Sequence, residues 1–237
     1  MDDAGQGGGV TAPAVLWPAG LDARARQSLG SSDDAIYRLV GEMLARHGAL
    51  GGQLVDAGCG RGGLFQTIGD AFDTYSGLDA VLYEGFPIDR QFYRVNLDAD
   101  QWSVPVQGDV VAAVETIEHL ENPWSCFRNL ARIAKPGGWV VVTTPNQQSV
   151  LSLLTLLWKG RFSAFQDSHF PTHRTALLEC DLRRAAADCG LLVADVAYSR
   201  RGRLPLVSWH YPSCLARVAP RCLSDNIAIL ARKPTGL

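Results

Sequence analysis

A glycine-rich turn directly after an apolar run constrains this chain more than any other feature. The run ends in Asp56, and Gly58, Gly60 and Gly63 follow within a few residues. Glycine accepts a positive φ and has no Cβ, so such a turn lets the backbone approach a ligand closely. A helix is expected to begin after the last glycine, and its N-terminus offers unpaired N–H groups. The stretch 54–65 therefore predicts a strand, a tight turn and a helix, with a ligand at the turn.

The acid before the turn narrows the type of ligand. The spacing Gly58-x-Gly60-x-x-Gly63 also matches the dinucleotide-binding fingerprint, and a nicotinamide-dependent oxidoreductase is one interpretation. Asp56 argues against it, because a carboxylate at a strand end repels a pyrophosphate and attracts positive charge or hydrogen-bond donors. A second acid, Asp79, follows about 20 residues after the turn, where an acid reaches a pair of ribose hydroxyls.

Predicted strands and helices alternate along most of the chain. Strands are predicted over 53–56, 74–79, 92–95, 109–114, 139–143, 191–198 and 226–231, and helices over 33–47, 64–72, 123–134 and 175–189. This order predicts an α/β fold with a doubly wound, mostly parallel sheet that carries helices on both faces. Ligands of such sheets bind at the carboxyl ends of the strands, where Asp56, Asp79, Asn96 and Glu115 are expected.

Composition excludes several classes of protein. The 22 basic and 24 acidic residues nearly balance, so no nucleic-acid partner is expected. The six cysteines show no zinc-site spacing, which favours reduced thiols and a cytoplasmic location. The longest apolar run, 150–158, is far shorter than the roughly 20 residues of a membrane span. We expect a mobile tail rich in Gly, Ala and Pro over 1–30 and a single domain over 31–237.

Several motifs together resemble the class I S-adenosylmethionine-dependent methyltransferases. They are Asp56-Ala57-Gly58-Cys59-Gly60, Asp79, Asn96, the run Asp109 to Leu120, and Lys135-Pro136-Gly137-Gly138. They occur in the order of that family, and the likeness covers about residues 33 to 200. It implies an enzyme with the Rossmann-like methyltransferase fold, whose seven-stranded sheet ends in an antiparallel strand, and S-adenosylmethionine (SAM) as cofactor.

The same resemblance implies a role for each residue around the cofactor. The methionine end would lie at Asp56 and the glycine turn, the ribose at Asp79, and the adenine at Asn96 and the Leu97 backbone. The residues expected to bind the cofactor are Asp56, Gly58, Cys59, Gly60, Asp79, Ala80, Asn96, Leu97 and Glu115.

A second motif, Glu115-x-x-Glu118-His119, concerns the chemistry. It is similar to a motif of the ubiquinone-pathway O-methyltransferases and of the small-RNA 2′-O-methyltransferases, and the RNA enzymes add a later histidine that best matches His169. The resemblance implies a divalent metal such as Mg²⁺ at Glu115, Glu118, His119 and His169. His119, His169 and Glu118 are the candidate catalytic groups, while His173 is expected to be a polar loop residue. In the alternative interpretation no metal binds, and Glu118 and His119 only orient a helix start and the substrate floor.

The acceptor is less constrained than the cofactor. An apolar insert at about 147–174 is expected to form a lid over the acceptor or to pack in the core. Arg200, Arg201 and Arg203 form a basic cluster that suits an acidic acceptor or a solvated loop, and no structure is predicted for 205–220. The predicted function is SAM-dependent methylation of a small molecule, most simply at a hydroxyl of a glycan, quinol or natural product. Carbon or nitrogen methylation and NAD-dependent oxidoreduction are the alternatives.

Overall fold

The computed structural model describes residues 17–205, 207 and 209–236. The helices are α1 Leu21–Gln27, α2 Asp34–Arg46, α3 Gly63–Ile68, α4 Pro123–Ile133, α5 Val150–Lys159, α6 Glu179–Asp188 and α7 Ser213–Val218. The strands are β1 Gln53–Ala57, β2 Thr74–Asp79, β3 Gln91–Arg94, β4 Gly108–Ala113, β5 Ala134–Pro145, β6 Leu192–Tyr198 and β7 Asn226–Arg232. Short 3-10 turns lie at Gly69–Ala71, Ile117–His119 and Asp167–His169.

The seven strands form one sheet in the order β3-β2-β1-β4-β5-β7-β6. Neighbours from β3 to β5 are parallel, whereas β7 is antiparallel to both β5 and β6. The predicted doubly wound, mostly parallel sheet is confirmed. Successive connections wind outward in opposite directions from β1 and β4, which leaves a crevice beyond their carboxyl ends.

Helices bury both faces of the sheet. On one face α4 and α6 contribute Phe127, Leu130 and Leu182, all with at most 1% of their surface exposed. On the other face α2 contributes Val40 and Met43, which are fully buried. Strands covered on both sides must be apolar throughout, which explains the uninterrupted apolar run of β4. The polar ends of the strands are thereby left as the place where a ligand can bind.

Side-chain caps fix where two helices begin. The Asp33 carboxylate accepts a hydrogen bond from Ala35 N at 2.9 Å at the start of α2. At the start of α4, Asn122 Oδ1 accepts one from Ser125 N at 3.0 Å, and Pro123 occupies the first helical position. The predicted boundaries were wrong by four or five residues at three places, one of which is the helix predicted from residue 175, which begins at Glu179. The helix predicted to reach residue 72 ends at Ile68, and β5 begins at Ala134, so the segment 135–138 belongs to the strand.

Within the predicted mobile tail, residues 17–30 include helix α1, residues 1–16 lie outside the described part, and the tail itself stays a prediction. Three contacts hold this segment. Trp17 Nε1 donates to Asp22 at 2.7 Å, and the Arg94 guanidinium lies over the Trp17 ring at 4.2 Å. The Tyr83 hydroxyl donates to the Ala25 carbonyl. Residues 17–30 are therefore packed against the rest of the fold, while the single domain over 31–237 stays a prediction.

The insert at 147–174 divides into two parts. Helix α5 exposes its apolar face, with Leu157 at 83% and Trp158 at 88% exposure, so this helix is not core packing. The segment that follows α5 turns back over the strand ends. Helix α7 lies in the region for which no structure was predicted. Among the described residues, no helix combines the length and the apolar character needed to cross a membrane.

Candidate active site

A cavity of about 420 Å³, the first cavity, opens at the carboxyl ends of β1, β2 and β4. Its lining includes eight of the nine residues predicted to bind the cofactor: Asp56, Gly58, Cys59, Asp79, Ala80, Asn96, Leu97 and Glu115. The three candidate catalytic residues, Glu118, His119 and His169, line it as well. Gly60 lies behind the lining and donates its backbone N–H to Asp79. The fold thus brings together side chains that are spread over more than a hundred residues of sequence.

Asp56 presents a buried carboxylate to this cavity. It is 2% exposed and accepts a hydrogen bond from the Tyr75 hydroxyl at 2.9 Å. Burial raises the pKa of Asp56 to about 7, against the opposing effect of the Tyr75 hydrogen bond, and the nearby Asp79 charge adds to the rise. A ligand group with positive charge would stabilise the ionised form of this carboxylate.

Asp79, at the end of β2, ties the glycine turn to the sheet. Its carboxylate accepts hydrogen bonds from Gly60 N at 3.0 Å and from Ala80 N at 2.7 Å. Burial raises the pKa of Asp79, while these backbone donors act in the opposite direction. Oδ1 also accepts from Val81 N at 3.5 Å, so Oδ2, which accepts from Gly60 N, is the oxygen with a second lone pair for a ligand hydroxyl.

The glycines of the turn are required for a reason that the sequence did not reveal. A Cβ at Gly58, where φ is +79°, would collide with the Thr116 side chain. A Cβ at Gly60, where φ is +51°, would collide with the Gly30 carbonyl. Other parts of the chain therefore occupy the Cβ side of both glycines, while Gly58 still lines the first cavity, and the approach of this turn to the cofactor stays a prediction. The turn is packed tightly between the loop after β4 and the segment after α1.

Asn96 and Leu97 follow β3, which ends two residues earlier, at Arg94. Asn96 Oδ1 accepts a hydrogen bond from Asp98 N at 3.1 Å, which leaves the side-chain NH₂ for another partner. Helix α1 covers this part of the cavity and places Arg24 against Asp98 and Glu121. Sequence reasoning missed α1. An acid in its first turn and arginines in its last turn were the available signal.

Glu115, just beyond β4, is held by the protein itself. Its side-chain oxygens accept hydrogen bonds from the Thr143 hydroxyl at 2.8 Å and from Asn226 Nδ2 at 2.7 Å. Burial raises the pKa of Glu115 to about 7, against the effect of these two donors. Its φ of +48° is rare for a residue with a side chain, and such strain concentrates at functional sites.

A cluster of possible metal ligands forms at Glu118, His119 and His173. Each residue offers one ligand atom, and these three atoms lie within 4.8 Å of one another. His119 Nδ1 lies 3.1 Å from the Thr172 carbonyl oxygen, and His173 Nδ1 lies 2.7 Å from that of Ala164. Each Nδ1–H therefore donates to a carbonyl, which leaves the Nε2 lone pair of each ring available. Burial lowers the pKa of His119 to about 4, and the nearby His173 contributes, so this ring is neutral at pH 7.

The position of His169 differs from its predicted role. Its exposed ring stacks on His173 at a centroid distance of 5.6 Å, and its Nδ1 accepts a hydrogen bond from Gln166 N. The cluster of possible metal ligands thus contains His173 in place of His169, and it leaves out Glu115. A second cavity, of about 290 Å³, adjoins the first, and both histidines line the two cavities.

Comparison with known proteins identifies the family. A model of the methyltransferase domain matches residues 31–195, which is more than half of the chain. The chain belongs to this family. The ubiquinone biosynthesis O-methyltransferase of Aeromonas salmonicida is 25% identical over 161 residues, which are 63% of this chain and 67% of the relative. The chain spans between about half and two thirds of the length of the first curated relatives that it matches.

Solved methyltransferase structures share the fold. A chain of the complex between the Haloferax volcanii Trm112 methyltransferase activator and a methyltransferase superposes with a TM-score of 0.61 at 19% identity, covering 92% of this chain and 97% of that chain. Magnesium protoporphyrin IX methyltransferase (ChlM) from Synechocystis PCC 6803, with bound S-adenosylhomocysteine (SAH), gives 0.55 at 18% identity, covering 90% and 94%. The resemblance to the class I SAM-dependent methyltransferases is confirmed.

The residues of this methyltransferase suit SAM as the cofactor. The buried Asp56 and Asp79 carboxylates both face the first cavity. SAM carries an ammonium, a sulfonium and a ribose diol, so carboxylates complement its positive charge and its hydroxyl donors. A pyrophosphate would be repelled by the same pair, which disfavours a dinucleotide at this place. The role of each residue toward SAM stays a prediction.

Proposed function

We propose that this methyltransferase transfers the methyl group of SAM to a hydroxyl oxygen of a small molecule. The observation that carries the proposal is the convergence of Glu118, His119 and His173 where the first and second cavities meet. A neutral hydroxyl is a poor nucleophile, so its methylation requires groups that favour the oxyanion. A neutral amine already has a nucleophilic lone pair and has less need of such a cluster.

The transfer is an in-line displacement. The hydroxyl oxygen forms a bond to the methyl carbon as the bond from that carbon to sulfur breaks, and the electron pair of the broken bond stays on sulfur. The products are the methyl ether and SAH, and the hydroxyl proton leaves to a base. The first cavity would hold the cofactor, and the second would hold the remainder of the acceptor.

The geometry favours Glu118 over His119 as the proton acceptor. Moving a proton from a phenol-like hydroxyl, whose ordinary pKa is near 10, to an imidazole of pKa about 4 costs about 8 kcal/mol. In its ionised form the buried Glu118 is a stronger base than His119, because burial and the nearby Glu115 charge raise the pKa of Glu118 well above its ordinary range. A cation held at the cluster would favour that ionised form. Its partners are the Thr144 hydroxyl at 3.2 Å and the His119 ring at 3.7 Å. We assign His119 and His173 to hold and orient the groups around this carboxylate.

The same cluster fits a divalent metal ion. Glu118, His119 and His173 would hold it, and each imidazole is already oriented by a carbonyl that accepts from Nδ1, as is usual for metal-binding histidines. Two imidazoles favour Mn²⁺, Co²⁺ or Zn²⁺ over the Mg²⁺ expected from the sequence, since Mg²⁺ prefers oxygen ligands. When bound, such an ion acts as a Lewis acid that stabilises negative charge on an oxygen. Both side-chain oxygens of Glu115 already have protein donors, so it is not in the proposed set.

Cofactor titration and product analysis test the function. We expect SAH, and not NAD⁺, to bind in calorimetry, and labelled SAM to methylate a hydroxyl in a panel of catechols, hydroquinones and glycosides. NAD⁺ binding in place of SAH, or a product methylated at nitrogen or carbon, would contradict the proposal.

Variants of the histidines test the cluster. His119→Ala and His173→Ala should each lower kcat by about 100-fold or more, the usual scale for a positioned acid–base or metal-holding group. His47→Ala is the matched control, because His47 pairs with Asp195 outside both cavities. Mn²⁺ binding to metal-free protein, measured by electron paramagnetic resonance, should be lost in both cluster variants and kept in the control. Binding that survives in all three variants would remove the metal from the proposal.

A further inference from the structure

The second cavity has its own wall, built from the carboxyl end of β5, the start of β7 and the segment that follows β6. It shares Asp33, Ile36, His169 and His173 with the first cavity. Material in the second cavity therefore lies next to the Glu118–His119–His173 cluster. No predicted role of the cofactor residues uses this space.

The charges in the second cavity are matched in pairs. Arg201 NH1 lies 3.1 Å from both oxygens of the Asp33 carboxylate. Arg203 donates from Nε to Asp225 Oδ2 at 2.7 Å and from its backbone N to the same oxygen at 3.2 Å. The two guanidinium groups thus meet two carboxylates, and the basic cluster identified from the sequence has no net positive charge here. Each guanidinium keeps further N–H donors, because it has five and these pairs use one from each.

The rest of the lining is mostly neutral and polar. Hydroxyl side chains come from Ser163 and Ser199, and His210 adds an imidazole. The Asn226 amide lines the cavity with its Nδ2 bonded to Glu115, and the Asn146 amide is bonded to Arg221, Ser224 and Gln148. The apolar lining residues are Ala35, Ile36, Pro145 and Ala164. The described wall thus offers donors and acceptors beside apolar surface, with no excess of charge. Only a ligand with the same mixture can satisfy these groups.

We propose that the second cavity is the acceptor subsite and that it takes a neutral, polyhydroxylated group, such as a glycosyl unit. This rests on the proposed methylation of a hydroxyl. A sugar hydroxyl both donates and accepts, so it complements paired Arg and Asp side chains and neighbouring amides. A phosphate or carboxylate would face Asp33 and Asp225, whose charges already occupy the guanidinium groups. An alkyl or prenyl tail would dehydrate these ion pairs without replacing their hydrogen bonds.

The proposal also fits the position of the reaction. His173 lines both cavities, so one hydroxyl of a glycosyl unit in the second cavity would lie closest to the Glu118–His119–His173 cluster. That oxygen forms the new bond to the methyl carbon of SAM as its bond to sulfur breaks. The proton goes to the carboxylate of the cluster, and SAH and a methylated sugar leave.

Matched probes that bind to the SAH-loaded protein test the ligand class. The probes are the 4-nitrophenyl glycosides of glucose, galactose, mannose, rhamnose and xylose, with 4-nitrophenyl hexyl ether and 4-nitrophenyl phosphate as apolar and anionic counterparts. We expect at least one glycoside to bind ten times more tightly than either counterpart, as measured by saturation-transfer NMR and calorimetry. The proposal would be overturned if the hexyl ether or the phosphate bound as tightly as every glycoside. It would also be overturned if none of the probes bound.

A charge variant tests whether the paired carboxylate sets this preference. Asp225→Asn leaves the Arg203 guanidinium unmatched, so the phosphate probe should gain about tenfold in affinity relative to the best glycoside. Asp195→Asn is the control, because it breaks an Arg–Asp pair outside the cavity, with Arg46 at 2.9 Å. A relative affinity that Asp225→Asn leaves unchanged in folded protein would contradict the role of the pair.

Measuring SAH affinity separates a failure of the proposed subsite from a failure of the proposed function. SAH affinity should stay the same in both aspartate variants, because neither residue lines the first cavity. If SAH binds but no hydroxyl is ever methylated, the proposed function fails, whereas the ranking of the probes still decides the nature of the subsite.

Discussion

Replacing Asp79 by alanine tests how the glycine turn and the cofactor depend on one carboxylate. Asp79 is 8% exposed and accepts from the backbone N–H groups of Gly60 and Ala80. Asp79→Ala removes both carboxylate oxygens at once and leaves the N–H groups of Gly60 and Ala80, together with the more distant Val81 N–H, in a buried place. It also removes the group that we expect to accept hydrogen bonds from the ribose of the cofactor.

The size of both effects follows from these contacts. A hydrogen bond to a charged acceptor contributes about 1.5–3 kcal/mol, and a buried donor without a partner costs about 1–3 kcal/mol. Burial also disfavours the carboxylate itself, as its raised pKa indicates, so the net loss in the free energy of unfolding should be about 2–4 kcal/mol. Loss of one charged hydrogen bond to the ribose should raise the Kd for SAH by about 10- to 150-fold, because about 1.4 kcal/mol of binding free energy is a factor of ten.

Asp73→Ala separates stability from binding. The exposed Asp73 also accepts a backbone N–H, from Gly52 at 3.0 Å, but it precedes the other end of β2 and does not line the first cavity. Calorimetric titration with SAH, at a temperature where both variants are folded, gives Kd, and urea unfolding gives stability. We expect both variants to lose stability and Asp79→Ala alone to lose affinity. An unchanged Kd in Asp79→Ala, or an equal rise in Asp73→Ala, would refute the reasoning.

Three further predictions concern the same turn. Because Asp56 has a pKa near 7 in the fold against an ordinary 3.8, the fold binds more protons than the unfolded chain between these values. The Asp56 contribution to stability without cofactor should fall by at most about 4 kcal/mol as pH rises from about 4 to 7. Asp56→Asn should make the loss of stability over this range smaller in urea unfolding, while Glu115, whose pKa burial also raises to about 7, keeps its own share. Tyr75→Phe removes a donor to the carboxylate, so SAH affinity should weaken at least threefold more at pH 6 than at pH 8; equal losses would contradict an ionised Asp56 in the complex. Gly58→Ala should lower the thermal midpoint by several degrees, because φ is +79° and Thr116 fills the space; an unchanged midpoint would show that the turn relaxes.

Local sequence patterns were sufficient for the sheet and for most of the strand ends. Apolar runs that end in Asp56 and Asp79, with helices between them, determine a parallel sheet with acids at one edge. Asn96 was expected at the end of its strand, yet β3 stops at Arg94, because sequence patterns locate boundaries only to within a few residues. The cytoplasmic location and the functional role of each site residue stay predictions.

Contacts between distant segments could not be predicted in the same way. The histidine at the cluster is His173 because a 3-10 turn over Asp167–His169 leaves His169 exposed, and two histidines four residues apart give no such signal in sequence. The collision partner of Gly58 is Thr116, which is remote in sequence and meets it only because β1 and β4 are neighbours. Helix α1 escaped prediction because its seven residues carry one buried apolar side chain, Leu21.

The predicted cofactor residues and part of the wall of the second cavity come from different parts of the sequence, and this separation has an evolutionary consequence. The predicted cofactor residues lie between positions 56 and 115, whereas six residues of the second cavity lie between 199 and 226: Ser199, Arg201, Arg203, His210, Asp225 and Asn226. The match to the methyltransferase domain ends at residue 195, before any of these six. Six of the fifteen lining residues of the second cavity therefore lie beyond the part that the family model matches, and the other nine lie within it. If the second cavity holds the acceptor, as we propose, a lineage can alter its acceptor through this late segment while the predicted cofactor residues stay unchanged.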